Sequence, residues 1–491
     1  MKIKLTALTM LAMTVATSCS NDELVETNSR PEGEAIDFRP SVEWASRAEI
    51  TRLQNLGNFY VFAKGVHPTS GALYKTFMVG NTETGEPAIA TRSSLASESG
   101  TWKLNEEVYW PTGIETAIFW AFTDRKYNED KGQPGPCISS GSVKFLQTFG
   151  PQIENYTPFK ADLTAPIGEY NGWFDGDYQR DLVSAFRQQT KNPHVNLNFH
   201  HLLSQIEITM ESKHTSQEVE MRTMKVKGAW IVNVASMGSL NAGFTYDETT
   251  RIAKDAPSWN LGSNIDQYGT YYYGDAETGA RVVPIVVNGT PSPLNALGKE
   301  GHGNLMLIPQ TRTPWDGVSE TTEGTYLLLL CRVDYAHLGE ITADPDNEAV
   351  SGTNKDGIHY HQLFPVTKYY DDDAYGLTAI PIPVDWEMGK KYTYHLDVCG
   401  ENSGAGKYPP NIPTDPEELD EYLKTFIAGE FVTNSEKNPN PTITNIITTR
   451  PNGKGTGDYV LDDPIQFNVT VMDWENAGTW VNGNDPVGVD E

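Results

Sequence analysis

The chain has 491 residues, with 65 Asp and Glu against 37 Lys and Arg, for a formal net charge of −28. That balance argues against nucleic-acid binding, which needs basic patches, and suits a well-solvated surface that resists self-association. Aromatic residues make up 10% of the chain, which excludes a disordered polymer and implies packed cores.

The N-terminus reads as a processing signal. Lys2 and Lys4 form a charged start, and Leu5 to Ala16 form an apolar run too short to span a bilayer. Ala16-Thr17-Ser18 places small residues before Cys19, the pattern of a lipoprotein cut before a cysteine that then carries acyl chains. The alternative is an ordinary secretory signal with an incidental cysteine. Several acyl chains suffice for stable anchoring, where one is marginal. Residues 1–18 are thus the expected signal peptide and 19–34 a polar tether. No other segment approaches 18 consecutive apolar residues, so lipid is the only membrane contact expected.

Beyond the tether, short strands alternate with turn clusters. Ala35 to Val42 is the first candidate, with Ile36, Phe38 and Val42 as its apolar residues. Asn58 to Ala63, Glu107 to Pro111 and Ala117 to Phe122 follow, the last two rich in aromatics. Arg180 to Ala185 reads as a helical turn. Val195, Leu197, Phe199 and His201 alternate on one face, and parity changes at Leu202-Leu203, which suggests a bulge within one strand. Further strands are expected at 224–234, 281–287, 304–309, 325–334, 378–384, 391–398 and 464–472. Many short strands with turns between them predict an all-β, sandwich-type architecture. The polar stretch Gln188 to Pro193 places a domain boundary near 190, giving an N-terminal β-sandwich at 35–190 and a C-terminal one at 191–491. The second carries an insertion at about 400–460, where Asp415-Pro416-Glu417-Glu418 resembles a helix cap and predicts one short helix over 416–427.

Candidate chemistry is sparse. With Cys19 assigned to lipid, Cys137, Cys331 and Cys399 remain, an odd number that excludes a fully paired framework. Cys331 and Cys399 lie in strand-like runs, either as buried thiols or as a pair. His359-Tyr360-His361 and Asp371-Asp372-Asp373 lack the convergent third and fourth ligands of a zinc site, and Asp344 to Glu348 lacks the spacing of a calcium loop. No nucleophile elbow or phosphate-binding loop is present. The expectation is a non-enzyme with no catalytic residues, no metal and no cofactor. Tyr271-Tyr272-Tyr273 and Tyr369-Tyr370 are either packed rings or sugar-stacking platforms.

Several ordered pieces resemble the fimbrillins of Bacteroidota, lipoprotein-derived pilus subunits. They are Asn58 to Ala63, Val108 to Pro111 with Ile118 to Phe122, Val195 to Ile206, Leu307 to Gln310, Trp386 to Tyr394 and Pro464 to Trp474. Ser20 to Glu23 is also similar to the surface-export signal of Bacteroidota lipoproteins. The resemblance implies two tandem transthyretin-like β-sandwich domains, a place on the cell outer membrane and in a fimbrium, and other fimbrial subunits as partners. It further implies assembly by donor strand exchange after an arginine-specific cut. Arg47, followed by Ala48, is the candidate cleavage site, with Arg52 second; otherwise Arg47 is a surface arginine and the first strand stays in place. Ile465, Phe467, Val469 and Val471 alternate in a strand that is either donated to a neighbour or closes its own domain. The insertion suggests a tip, accessory or anchor subunit, or an adhesin for a host or bacterial surface ligand. The alternative function is a non-polymerising surface lipoprotein that binds glycans.

Overall fold

The computed structural model describes residues 34–42, 56–92, 101–124, 140–146, 150–158, 181–213, 222–235, 237–247, 252–261, 265–268, 285–293 except 288, 305–320, 323–338, 358–413 except 401, 445–473 except 462, and a few single positions. The first strands are β1 (Asp37–Val42), β2 (Phe59–Gly65), β3 (Ala88–Arg92), β4 (Trp102–Leu104), β5 (Thr116–Thr123), β6 (Val143–Leu146), β7 (Gly150–Tyr156), β8 (Val183–Thr190) and β9 (His194–His201). Then come β10 (Ser204–Glu211), β11 (Arg222–Ala235), β12 (Gly238–Asn241), β13 (Phe244–Asp247), β14 (Ile252–Asp255), β15 (Ser258–Leu261), β16 (Ile265–Tyr268), β17 (Ile285–Val287), β18 (Ser292–Pro293) and β19 (Leu305–Leu307). The last are β20 (Thr311–Arg312), β21 (Tyr326–Leu338), β22 (Ile358–Phe364), β23 (Ala374–Pro381), β24 (Val384–Asp385), β25 (Lys390–Asp397), β26 (Asn445–Ile447) and β27 (Gln466–Asp473).

The first unit is a closed barrel with strand order β1-β4-β3-β2-β5-β8-β9. Its two most aromatic strands are buried on both faces, and their sequences show why. Phe59, Val61 and Ala63 of β2, with Ala117, Phe119 and Ala121 of β5, point into the barrel. The intervening Tyr60, Phe62, Ile118, Trp120 and Phe122 point outward into a second core. A strand covered on both sides reads as a continuous apolar run and not as an alternating one. β9, in contrast, buries Val195, Leu197 and Phe199 and exposes Asn196 and Asn198, so it alternates.

The cover on the barrel's outer face is a four-stranded sheet, β15-β12-β7-β6. It is built from both halves of the chain: β7 precedes the last two barrel strands, and β12 follows them. Trp259 on β15 donates its indole N–H to the Leu202 carbonyl at 2.9 Å, tying this sheet to the point where the chain leaves the barrel.

The second unit packs a five-stranded sheet (β18-β10-β25-β27, with β19 on β10) against a seven-stranded one (β16-β11-β21-β23-β26, with β17 and β22 at the sides). Its core joins Ile206, Ile208, Tyr392, Tyr394 and Leu396 of one sheet to Val226, Ile231, Leu327 and Leu329 of the other. The Trp386 to Tyr394 motif is a turn that pins β25. The Trp386 indole donates to the Tyr394 hydroxyl (3.0 Å), which donates to the Pro383 carbonyl (2.7 Å), and the Glu387 N–H donates to the Tyr392 hydroxyl (2.9 Å). Gly389 takes the left-handed φ of 66° that this turn needs, where a side chain would be strained.

The structure corrects several expectations. The fold is all-β, but it is a closed barrel, a shared cover sheet and a two-sheet unit, not two tandem transthyretin-like β-sandwich domains with one short helix. The barrel closes because β1 pairs with β4 on one side and β9 on the other. The 3₁₀ turn Ser140–Ser142 is the one helical element with defined bounds among the described residues; residues 416–427 lie outside them apart from Glu418, which is helical and whose N–H donates to Asp415 Oδ1 at 3.2 Å. The parity change at Leu202-Leu203 is not a bulge: the chain there ends β9 and begins β10 in a different sheet, and both leucines are buried. The boundary placed near 190 falls in the β8–β9 hairpin, inside the barrel. Val183 to Ala185 are strand, not a helical turn, paired with β5. Glu107 to Pro111 make no ladder; they form an irregular segment that buries Trp110, whose indole donates to the Ile114 carbonyl.

Candidate functional site

The first strand occupies a groove in the barrel wall. β1 runs parallel to β9 over six register positions, Asp37 opposite His194 through Val42 opposite Phe199, and antiparallel to β4 at Phe38–Trp102. Ile36, Phe38 and Pro40 face inward and are buried, while Arg39 and Ser41 face solvent. Phe38 is fully buried, with its ring edge-on to Phe59 at 5.8 Å and to Phe119 at 6.3 Å. Phe59 in turn meets Phe199 at 5.2 Å and Trp102 at 6.2 Å, and the Trp102 indole donates to the Gly57 carbonyl. Burying two such side chains as Ile36 and Phe38 is worth about 3–6 kcal/mol, and edge-on ring pairs add about 0.5–1.5 kcal/mol each.

Polar contacts fix the strand's ends. The Ile36 N–H donates to the Val108 carbonyl and the Asp37 N–H to the Pro193 carbonyl, at 2.8 and 2.9 Å. Near the other end the Ser41 hydroxyl donates to Asn198 Oδ1 at 2.9 Å. His194 Nδ1 lies 2.9 Å from Asp37 Oδ1, and Nε2 lies 3.6 Å from Glu34 Oε2. One imidazole therefore faces two carboxylates, one in the first strand and one just before it.

The candidate closing strand belongs to the five-stranded sheet of the second unit. β27 pairs with β25 in register from Asp397–Gln466 to Lys390–Asp473, and is an edge of its sheet. Its side chains are poorly covered: Ile465 and Val469 touch the core, but Phe467 is 37% and Val471 53% exposed. The four apolar residues alternate as expected, so the exposed pair lies on the face that elsewhere packs inward.

Residues 69–406, more than half of the chain, match the family described as Fimbrillin-like. The chain belongs to the fimbrillin-like family. It matches no curated protein. Among solved structures it is similar to a fimbrial protein from Bacteroides vulgatus, with 15% identity, a TM-score of 0.42, and 75% of this chain and 96% of that one covered. It is also similar to a candidate cell adhesion protein from Parabacteroides distasonis, with 9% identity, a TM-score of 0.37, and 93% and 99% coverage. A third, from Bacteroides eggerthii and of the same description, shows 12% identity, a TM-score of 0.34, and 91% and 98% coverage.

This fimbrillin-like chain places its remaining candidates as follows. Cys19, Arg47, Ala48 and Arg52 lie outside the described residues, as do the side chain of Val42 and the run Tyr271 to Tyr273. Cys331 and Cys399 are free and buried; burial pushes both thiols up, Cys399 to about 12. No group of three or more His, Cys, Asp or Glu able to hold a metal ion occurs among the described residues. His359 and His361 lie on β22 with ring centres 5.2 Å apart, and Asp371 and Asp373 belong to the turn before β23. Tyr369 and Tyr370 do not form a platform: Tyr369 is exposed beneath the Lys368 ammonium (4.8 Å), and the Arg332 guanidinium sits over Tyr370 at 4.7 Å.

Two features escaped the sequence reading. Arg332 follows the apolar run of β21 yet is fully buried, with Nε donating to both Asp334 oxygens at 2.8 Å and Nη1 to the Asp371 carbonyl. Burial opposes its charge, and the Asp334 carboxylate more than offsets that, so the guanidinium stays charged. The Arg-x-Asp spacing on one strand face was the available signal. His194 was the other; nothing local marks it, because its partners lie on β1, far away in sequence.

Proposed function

We propose that the chain is a structural or adhesive fimbrial subunit, delivered to the outer-membrane surface by the lipid at Cys19, that assembles by strand exchange at the β1 groove once a cut after Arg47 has released the leader and its lipid. The observation that carries this reading is the position of β1: a short strand near the chain start that closes the barrel and fills aromatic pockets. Arg47 lies only a few residues beyond its end at Val42. A cut after Arg47 would leave β1 held by ladder bonds and its buried Ile36, Phe38 and Pro40 alone. Its departure would expose unpaired backbone and an apolar groove, which an extended segment satisfies by β-augmentation.

The chain also contains a segment of matching pattern. Residues 463–471, Asp-Pro-Ile-Gln-Phe-Asn-Val-Thr-Val, parallel residues 34–42, Glu-Ala-Ile-Asp-Phe-Arg-Pro-Ser-Val, with Ile, Phe and Val in the same places. In that register Phe467 of a neighbouring copy takes the Phe38 pocket. The partners are then other fimbrial subunits. The glycan-binding alternative has less support, since the Arg332 guanidinium sits over Tyr370 and the Lys368 ammonium lies over Tyr369.

The test is to treat the purified mature chain with an arginine-specific protease. The expected outcome is a cut after Arg47, loss of the leader and a ladder of multimers in denaturing gels without boiling. A clean cut that leaves only stable monomer overturns assembly by this route.

A further inference from the structure

We infer that His194 is a specificity-determining residue for the strand that occupies the barrel groove: it recognises the carboxylates in and just before the resident first strand and makes their hold depend on pH. The inference rests on the strand-exchange reading only for its biological use. The geometry stands by itself.

His194 opens β9, directly opposite Asp37 in the parallel register. Its Nδ1 is at hydrogen-bond distance from Asp37 Oδ1 (2.9 Å), and its Nε2 is at ion-pair distance from Glu34 Oε2 (3.6 Å). A neutral imidazole carries one N–H and satisfies one of these oxygens as donor. An imidazolium carries two and addresses both carboxylates with charge. The other charged groups near the pair are Arg39, whose Nε is 3.7 Å from Asp37 Oδ1, and Lys103 of β4, opposite Asp37 in the antiparallel register. Both belong to residue types that are cations across the neutral pH range. From its own side, the Asn192 side chain accepts from the His194 N–H, and the Gln189 amide donates to its carbonyl; both are neutral.

The sign follows from these groups. As an imidazolium the ring pairs with both carboxylates and clamps β1. As a neutral imidazole it keeps one N–H and no charge, can donate to one carboxylate at most, and β1 loosens. The segment 463–471 in the same register carries Asp463 in place of Glu34 but Gln466 in place of Asp37. An incoming strand therefore lacks the carboxylate that sits closest to His194. Acid conditions favour the resident strand, and neutral conditions remove that advantage.

The test is hydrogen exchange of the β1 amides in the intact, uncleaved chain at pH 5.5 and 7.5, corrected for intrinsic exchange rates. Protection is expected to be about two- to fivefold greater at pH 5.5, the range open to a partly exposed pair. His194→Gln and, independently, Asp37→Asn should each flatten that dependence, while β5 amides stay unchanged in both. Equal protection at the two pH values in the natural chain overturns the inference, as does an unchanged slope in both variants. In the cleaved chain, release of the leader fragment should be slower at pH 5.5 by a similar factor. Failure to multimerise at any pH would count against strand exchange and leave the pH dependence of the intact chain to judge His194.

Discussion

At the scale of single residues, the buried polar groups and thiols are the most informative. Arg332 and Asp334 have lost nearly all contact with water, and each is the other's main compensation. Arg332→Met should destabilise the chain by about 3–5 kcal/mol, because Asp334 would remain buried with Lys225, at 3.2 Å, as its cationic neighbour among the described residues. Urea denaturation of the variant checks this. Cys331 and Cys399 give a pH-dependent counterpart. Their thiols are pushed up by burial, so the native state keeps the protons that the unfolded chain releases near about pH 8.5. That contribution to stability is complete below the unfolded value and declines as pH rises from there toward 12. At pH 8, alkylation followed by peptide mapping should find both cysteines unmodified in native protein and modified in urea.

At the scale of elements, β1 and β27 have opposite burial for similar sequences. Phe38 is fully enclosed, and its counterpart Phe467 is partly exposed on an edge strand. Phe467→Ser should therefore change monomer stability by less than about 0.5 kcal/mol, as surface substitutions do. After cleavage at Arg47, the same variant should lose most multimers, because a hydroxyl would enter an aromatic pocket. Thermal melting and gel ladders of the one variant read the two effects separately. Most strands were legible because their apolar residues repeat at period two or run continuously. The three-residue β4 was not: Trp102-Lys103-Leu104 is too short to show a period, although its tryptophan lines the groove. The helical turn expected at 180–185 failed because Val183 to Ala185 carry no period of their own, and pairing with β5 decided their conformation.

At the scale of the whole molecule, the shared sheet joins the barrel to the second unit. One apolar cluster contains the barrel's Phe62 and Trp120, the cover sheet's Ile153 and Leu240, Leu202 and Leu203 at the crossover, and Met306 and Ile308 from beyond it. Calorimetry should show one cooperative unfolding transition, with fluorescence and far-UV signals coincident; two resolved transitions would show the units to be independent. The sequence by itself determined the all-β class, the acidic surface, the expected lipid signal and the order of strand motifs that places the chain among the fimbrillin-like proteins. Each of these is written in local composition or in period. Only the tertiary structure decided that the sheet closes into a barrel, that Leu202-Leu203 is a crossing between sheets, that β7 and β12 share one sheet, and that His194 faces Asp37. The reason is that ladder partners and buried ion pairs join residues far apart in the chain, and no local pattern records which distant segment will supply the other half.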